Sequence, residues 1–399
     1  MPFGPHREGV GALFSYLVGS CTHWNSRKET FALGAVILAA TGCALLLKRR
    51  LYGELTYTDV AIPLLLLSPS QFEMLASYAN PAHGPLPLLL VVLNCLAWTL
   101  KAAPLRYGLL LTVNFLLIYT GFGLFMGVLT PVLLALEFYN QKNQGQISSR
   151  RLFLLASLLS ILSLGSFFVG YKVEAATICY GSHANAAVTF NARDFLRYLR
   201  FMSLMFANFA GRKGLGLATT TIGGLLLAAC IGALAFCFRE LLFSSKPASS
   251  SEAVVQKIVP TALSGFGVIF AFSTAVGRLC LDEPAAAQTA RYIPYLALAL
   301  LGVYFCLISA RGSGVRNFSL AALVTMALVS SISINRTDRG RMAWLAQGKQ
   351  KWKDCYLVQQ DVNRCDTLSN FRLDSNADGR LQDKLMVLRQ KRLNLFAPQ

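Results

Sequence analysis

The sequence predicts an all-α polytopic membrane protein with about ten spans, an amphipathic helix in the membrane interface and a small C-terminal soluble tail. Three observations predict it. Of the 399 residues, 54% are hydrophobic and only 14% are charged, against roughly 25% charge in a soluble domain. Mean hydropathy is +0.50. The apolar residues fall in runs near the roughly 20 residues that a helix needs to cross a bilayer, and basic residues collect between the runs. An ordinary soluble globule is excluded.

Residues 1 to 29 are polar, with no apolar core of signal-peptide length, and read as an outer N-terminal segment. The first span, Thr30 to Leu47, stops on Lys48, Arg49 and Arg50, which the positive-inside rule places in the cytoplasm. The next strong run, Leu86 to Leu100, also ends on a cation, Lys101, so the chain must cross once in between. Only Thr58 to Ser68 can do so. It is short and holds Asp59 and Pro63, which suits a broken or re-entrant segment covered by protein or water. Leu105 to Leu136 is too long for one span and splits at Gly121-Phe122-Gly123; Gly123 and Gly127 then form a small-xxx-small helix contact. Leu152 to Tyr171, Leu217 to Phe238, Ile258 to Val276, Tyr292 to Ala310 and Phe318 to Ile334 complete the set. Residues 30 to 334 form the transmembrane domain, and both chain ends lie outside. The inner loops between spans hold 13 cations, and the outer turns near Ser70 and Gly121 hold none. Arg336, Arg339 and Arg341, just after the last span, stand against this orientation.

Two regions do not span. From Asn191 to Phe209, Phe195, Leu199, Met202 and Phe206 share one helical face while Arg193, Arg197 and Arg200 share another, the pattern of a helix lying in the membrane interface. Residues 335 to 399 form an extramembrane tail with 13 basic and 7 acidic residues and two helices, near Arg341 to Tyr356 and Gly379 to Arg392. In the tail, Asp374-Ser375-Asn376-Ala377-Asp378-Gly379 copies the start of a calcium loop, but the closing position is Leu385 rather than Glu; an Asx-rich turn is the other reading. Cys355 and Cys365 form a disulfide if the tail faces an oxidising compartment, and otherwise two buried thiols.

The formal charge of +18 is spread over loops and tail rather than gathered in a stripe, so anionic lipids are the expected partners and nucleic acid is not. No CxxC or Cys/His cluster has metal spacing, and no phosphate loop, nucleophile elbow or HExxH motif occurs. Neither a cofactor nor a resident metal is expected.

Several residues have the chemistry of a site on the outer side. Gly211-Arg212-Lys213-Gly214-Leu215-Gly216 precedes a span, so backbone N–H groups, a helix N-terminus and two cations converge where a phosphate would bind; the other reading is that Arg212 and Lys213 anchor the helix among head groups. Arg278 and Arg291 end successive helices around a loop with Asp282. His6, Arg7 and Glu8 cluster at the chain start, and Glu73 and Asp59 are further carboxylates assigned to the outer half.

Pro5-His6-Arg7-Glu8, Thr22-His23-Trp24-Asn25, Leu67-Ser68-Pro69-Ser70-Gln71-Phe72-Glu73, the short paired helices around Gly123, Ala290-Arg291-Tyr292 and Arg392-Leu393-Asn394-Leu395-Phe396 resemble a group of uncharacterised bacterial polytopic membrane proteins. These are similar to the GT-C superfamily, membrane glycosyltransferases that use polyprenyl-phosphate sugars, and the expected location of this chain is a bacterial inner membrane. The resemblance implies an outward cavity, with Glu8 or Glu73 as the catalytic carboxylate and Arg212, Lys213, Arg278 and Arg291 at the lipid phosphate. In that superfamily the acidic residue follows a first spanning helix; here either that helix lies outside this sequence, or Glu8 and its neighbours are what remains of the loop. The competing class is a non-catalytic membrane subunit or lipid-handling transporter with a protein partner, in which the same cations read head groups.

Overall fold

The computed structural model describes residues 2–3, 6–7, 9–76, 80–143, 150–170, 191–243, 251–279, 286–310, 312–332, 336–373 and 380–397. Apart from a two-residue strand pair, Pro2–Phe3 with His6–Arg7, its regular elements are helices. Among the described residues seven helices are long and apolar enough to cross a membrane: α2 (Ser26–Tyr52), α7 (Leu124–Asn143), α8 (Arg150–Phe168), α10 (Leu217–Phe243), α11 (Ser251–Arg278), α12 (Ile293–Ser309, with the turn Ala290–Tyr292) and α13 (Ser313–Ile332). Three shorter apolar helices join them: α1 (Gly9–Thr22), α5 (Pro85–Trp98) and α6 (Ala103–Ile118). The remaining helices are α3 (Ala61–Leu66), α4 (Glu73–Ala76), α9 (Phe195–Phe209) and, in the tail, α14 (Arg336–Gln359), α15 (Val362–Ser369) and α16 (Leu381–Gln390). The long run does break at Gly121–Gly123, a single 3-10 turn between α6 and α7.

The weakest predicted crossing is a broken one. Thr30 Oγ1 lies 3.5 Å from the Leu75 carbonyl, and Lys48 Nζ lies 2.9 Å from the Asp59 carboxylate. Along α2 these two points are about 27 Å apart at about 1.5 Å per residue. The chain from Asp59 to Leu75 therefore returns the length of the bundle, through the turn Tyr57–Val60 and the six-residue α3. Protein covers the break. Buried Gln71 donates from Nε2 to the carbonyls of Leu66 (2.9 Å) and Leu65 (3.4 Å), and Ser331 Oγ donates to Leu64 at 3.4 Å. Carbonyls that a continuous helix would have bonded internally are met by side chains, as a low-dielectric interior requires. Asp59, assigned to the outer half from sequence, sits instead at the end marked by Lys48.

Two further expectations are corrected. The segment before α2 is not simply polar: Val10, Phe14 and Leu17 make α1 apolar between polar flanks. At 14 residues it is short of a span, and it lies across one end of the bundle, with Val10 N donating to Tyr119 O (3.2 Å) and Ser15 Oγ to Glu29 Oε1 (2.6 Å). The helix assigned to the interface is only half on the surface. Arg193, Arg197 and Arg200 are exposed, but every residue from Phe201 to Phe209 is buried. Apart from Ser203, which donates to the Leu199 carbonyl, and Asn208, its last turns are apolar, and such a helix goes inside. Gly223 of α10 admits it: a Cβ there would collide with the Ser203 carbonyl.

The tail has a separate small core of Trp352, Tyr356, Cys365, Phe371 and Leu385. Cys355 and Cys365 are disulfide-bonded with a Cα separation of 5.6 Å, and Trp352 Nε1 donates to Asp366 at 2.7 Å. The tail has three described helices where the sequence predicted two, and its calcium-like stretch, Asp374 to Gly379, lies outside the described residues. Asn394 N donates to His23 O at 2.8 Å, fixing the tail to the end of the bundle that carries α1, here called the tail end.

Candidate functional site

At the tail end two distant segments meet through local structure each builds for itself. Ser68 Oγ accepts from Ser70 N and starts the turn Pro69–Gln71, after which Glu73 opens α4. The turn Ala290–Tyr292 leads into α12, whose first turn holds Pro294, where a missing N–H costs nothing. Arg291 N donates to Glu73 Oε2 at 3.4 Å, and Arg341 Nη2 of the tail stands 4.0 Å from Glu73 Oε1. Both contacts are long, and the Glu73 side chain is 11% exposed.

Tyr292 is buried between cations. The guanidinium carbons of Arg278 and Arg291 lie 5.7 and 5.9 Å from its ring centroid, within the range of cation–π attraction. Arg278 closes α11, where the helix dipole favours a positive charge. Arg291 is exposed and Arg278 half-buried. Arg278 and Arg291, placed together from sequence at the ends of successive helices, thus flank one ring, and Glu73, chosen apart from them, meets the Arg291 backbone beside it.

The loop with Arg212 and Lys213 is at the same end but is built differently from the expectation. Its backbone donors are already used: Gly211 N bonds Asn208 O (3.0 Å), Arg212 N bonds Ala207 O (3.0 Å), and Gly214 N bonds the buried Gln288 side chain (2.8 Å). Gly211, at φ +71°, closes α9 in the left-handed conformation that glycine takes without strain. The loop ends one helix before it starts the next, so no backbone cradle for phosphate is available from those three groups. The side chains remain: Arg212 is exposed, and Lys213 is ion-paired with Asp338 of α14. Asp338 and Arg341 were not singled out as site residues. The tail cations looked anomalous on the outer side, and Arg341 in fact faces a carboxylate.

Glu8 and Asp282 lie outside the described residues. His6 and Arg7 are described in backbone only, in a strand against the turn Gly121–Gly123. Among the described residues no cluster of three or more His, Cys, Asp or Glu side chains is arranged to hold a metal.

The opposite end is organised by buried ion pairs. Lys48 and Asp59 are each 4% exposed; Asp59 also accepts from Tyr304 OH and Thr56 N, and Lys48 donates to Glu54 O. Arg106 pairs with Glu137 at 2.9 Å, and Tyr107 OH donates to the same carboxylate at 3.2 Å. The stop signal of the first span hid the first of these pairs, because Lys48 looked like an ordinary loop cation. Comparison with known proteins finds no matching family model, no matching curated protein and no matching solved structure.

Proposed function

We propose that the protein is a GT-C-like membrane glycosyltransferase that moves a sugar from a polyprenyl-phosphate donor to an acceptor on the tail side of a bacterial inner membrane. The observation that carries this reading is the meeting of Glu73 with Arg291, separated by 218 positions, beside Arg278 and Tyr292. A carboxylate next to several cations, at one end of a membrane-type bundle, has the parts that glycosyl transfer from a lipid phosphate needs. Arg278, Arg291 and exposed Arg212 neutralise the phosphate as it leaves with the electron pair of the broken C1–O bond. Glu73 takes the proton of the acceptor hydroxyl as its oxygen bonds to C1. The long contacts to Glu73 leave lone pairs for that hydroxyl. Lys213 is held by Asp338 and serves as the second rank of positive charge. The tail disulfide supports an oxidising, external location for this end.

Native mass spectrometry of the protein released from nanodiscs, followed by a donor screen, tests the reading. Retention of a polyprenyl-phosphate species that is lost in Arg278→Ala, with transfer lowered at least roughly a hundredfold in Glu73→Gln as for loss of a general base, is the expected result. Unchanged transfer in Glu8→Gln, Glu73→Gln and Arg278→Ala together would overturn it. Bulk phospholipid or a protein subunit as the sole retained species would assign these cations to lipid handling or assembly instead.

A further inference from the structure

Two free thiols meet at the end of the bundle away from the tail. Cys237 of α10 and Cys306 of α12 are unbonded cysteines, and their thiols are in hydrogen-bond contact where the two helices pack. Cys237 is fully buried, whereas Cys306 is partly exposed. Tyr52, the last residue of α2, fixes the surroundings. Its hydroxyl lies 3.3 Å from the carbonyl of Gln256 and 3.2 Å from that of Phe305, the residues next to Lys257 and Cys306, and Gln256 Nε2 donates to Leu51 O at 2.6 Å.

A single thiol in an apolar run packs as a small hydrophobe. Two thiols from different helices that touch are instead the starting geometry of a disulfide. A cation stands beside them: Lys257 of α11 acts electrostatically on both, with Nζ 5.2 Å from the Phe236 ring centroid. The carboxylate that acts on Cys237 is Glu240, on the same helix. Reactive cysteines sit beside a cation with one face accessible, because the thiolate is the form that attacks an oxidant. Cys306 has both features, and Cys237 waits behind it.

We propose that Cys306 and Cys237 are a hydroperoxide-reactive pair, in which Cys306 reacts first and Cys237 resolves. The Cys306 sulfur attacks one peroxide oxygen, the O–O bond breaks, and the departing alkoxide or hydroxide takes the Cys306 proton, leaving a sulfenic acid. The Cys237 sulfur then attacks the sulfenic sulfur; the S–S bond forms, the S–O bond breaks and hydroxide leaves with the Cys237 proton as water. Two electrons pass from the thiols to the peroxide. The new bond ties α10 to α12, the helix that begins beside Arg291. With the tail end outward, this pair lies on the cytoplasmic side, where disulfides are transient and redox-sensing, unlike the bond in the tail.

Peptide mapping of the full-length protein in nanodiscs tests the proposal. The protein is treated with hydrogen peroxide or cumene hydroperoxide, remaining thiols are capped with N-ethylmaleimide after denaturation, and linked peptides are read by mass spectrometry. The expected result is a Cys237–Cys306 linked peptide that forms before exposed Cys21 is oxidised and that dithiothreitol reverses. In Cys237→Ala, dimedone should trap a sulfenic acid on Cys306; in Cys306→Ala, Cys237 should stay unmodified. Lys257→Met should slow linkage about tenfold, the factor that about 1.4 kcal/mol in the barrier represents. Faster linkage by hydrogen peroxide assigns a water-borne oxidant, and faster linkage by cumene hydroperoxide a lipid-borne one. Absence of the linked peptide once Cys21 is oxidised overturns the proposal, as does a linkage rate unchanged in Lys257→Met.

Discussion

At the scale of single residues, Lys48 and Asp59 give the clearest energetic statement. Both are buried, so each ion is tolerated because the other, with Tyr304, Thr56 and the Glu54 carbonyl, replaces the water it lost. Removing one partner strands the other. Lys48→Met should therefore cost about 3–5 kcal/mol, whereas Lys48→Met with Asp59→Leu should recover most of that loss. Denaturant unfolding in mixed micelles measures both, and equal losses in the single and double variants would show that packing at Lys48 outweighs its charge. Glu73 is the contrasting case: its contacts are long and its partners partly exposed, so Glu73→Gln should leave the folded state nearly unchanged while affecting chemistry.

At the scale of elements, the broken crossing and α9 share one rule. Backbone may leave the regular helix inside the bundle where side chains take over its hydrogen bonds, as Gln71 and Ser331 do for α3. A helix end may enter the bundle where its neighbour has no side chain in the way, as at Gly223. Gly223→Val should push α9 from α10, at the roughly 1–3 kcal/mol typical of overpacking. Hydrogen exchange should quicken first in Phe201–Phe209, and unchanged protection there would mean that α9 is held from its other neighbours. The break at Thr58–Ser68 was legible because two cationic stops demand a crossing between them. The burial of α9 was not, because the arginines of its first turns suggested a surface position for the whole element.

At the scale of the whole molecule, the two ends differ in kind. The tail end has α1, the disulfide-bonded tail and the Glu73 cluster; the other has buried ion pairs and the touching thiols of Cys237 and Cys306. If the tail end faces outward, the exposed free Cys21 of α1 should react with a membrane-impermeant maleimide on intact cells, while a cysteine placed at exposed Lys101 should react after lysis. The reverse pattern would invert the orientation and remove the support that the disulfide lends to the proposed transfer reaction.

The sequence by itself determined the all-helical, membrane-type class, the position of seven of the ten spans it predicts, the split at Gly121–Gly123 and the need for a crossing near Pro63; the runs at Leu86 and Leu105 form helices of 14 and 16 residues, short of a span. Hydrophobic run length and charge placement are properties of one segment at a time, and a bilayer constrains each segment separately. Only the tertiary structure decided that Glu73 faces Arg291 and Arg341, that the backbone of the Arg212 loop serves α9, that Asp59 belongs with Lys48, and that Cys237 meets Cys306. Each of these is a pairing across many residues of chain. A charged or polar side chain has the same identity whether it meets water, lipid or a buried partner, and the packing of the helices selects which.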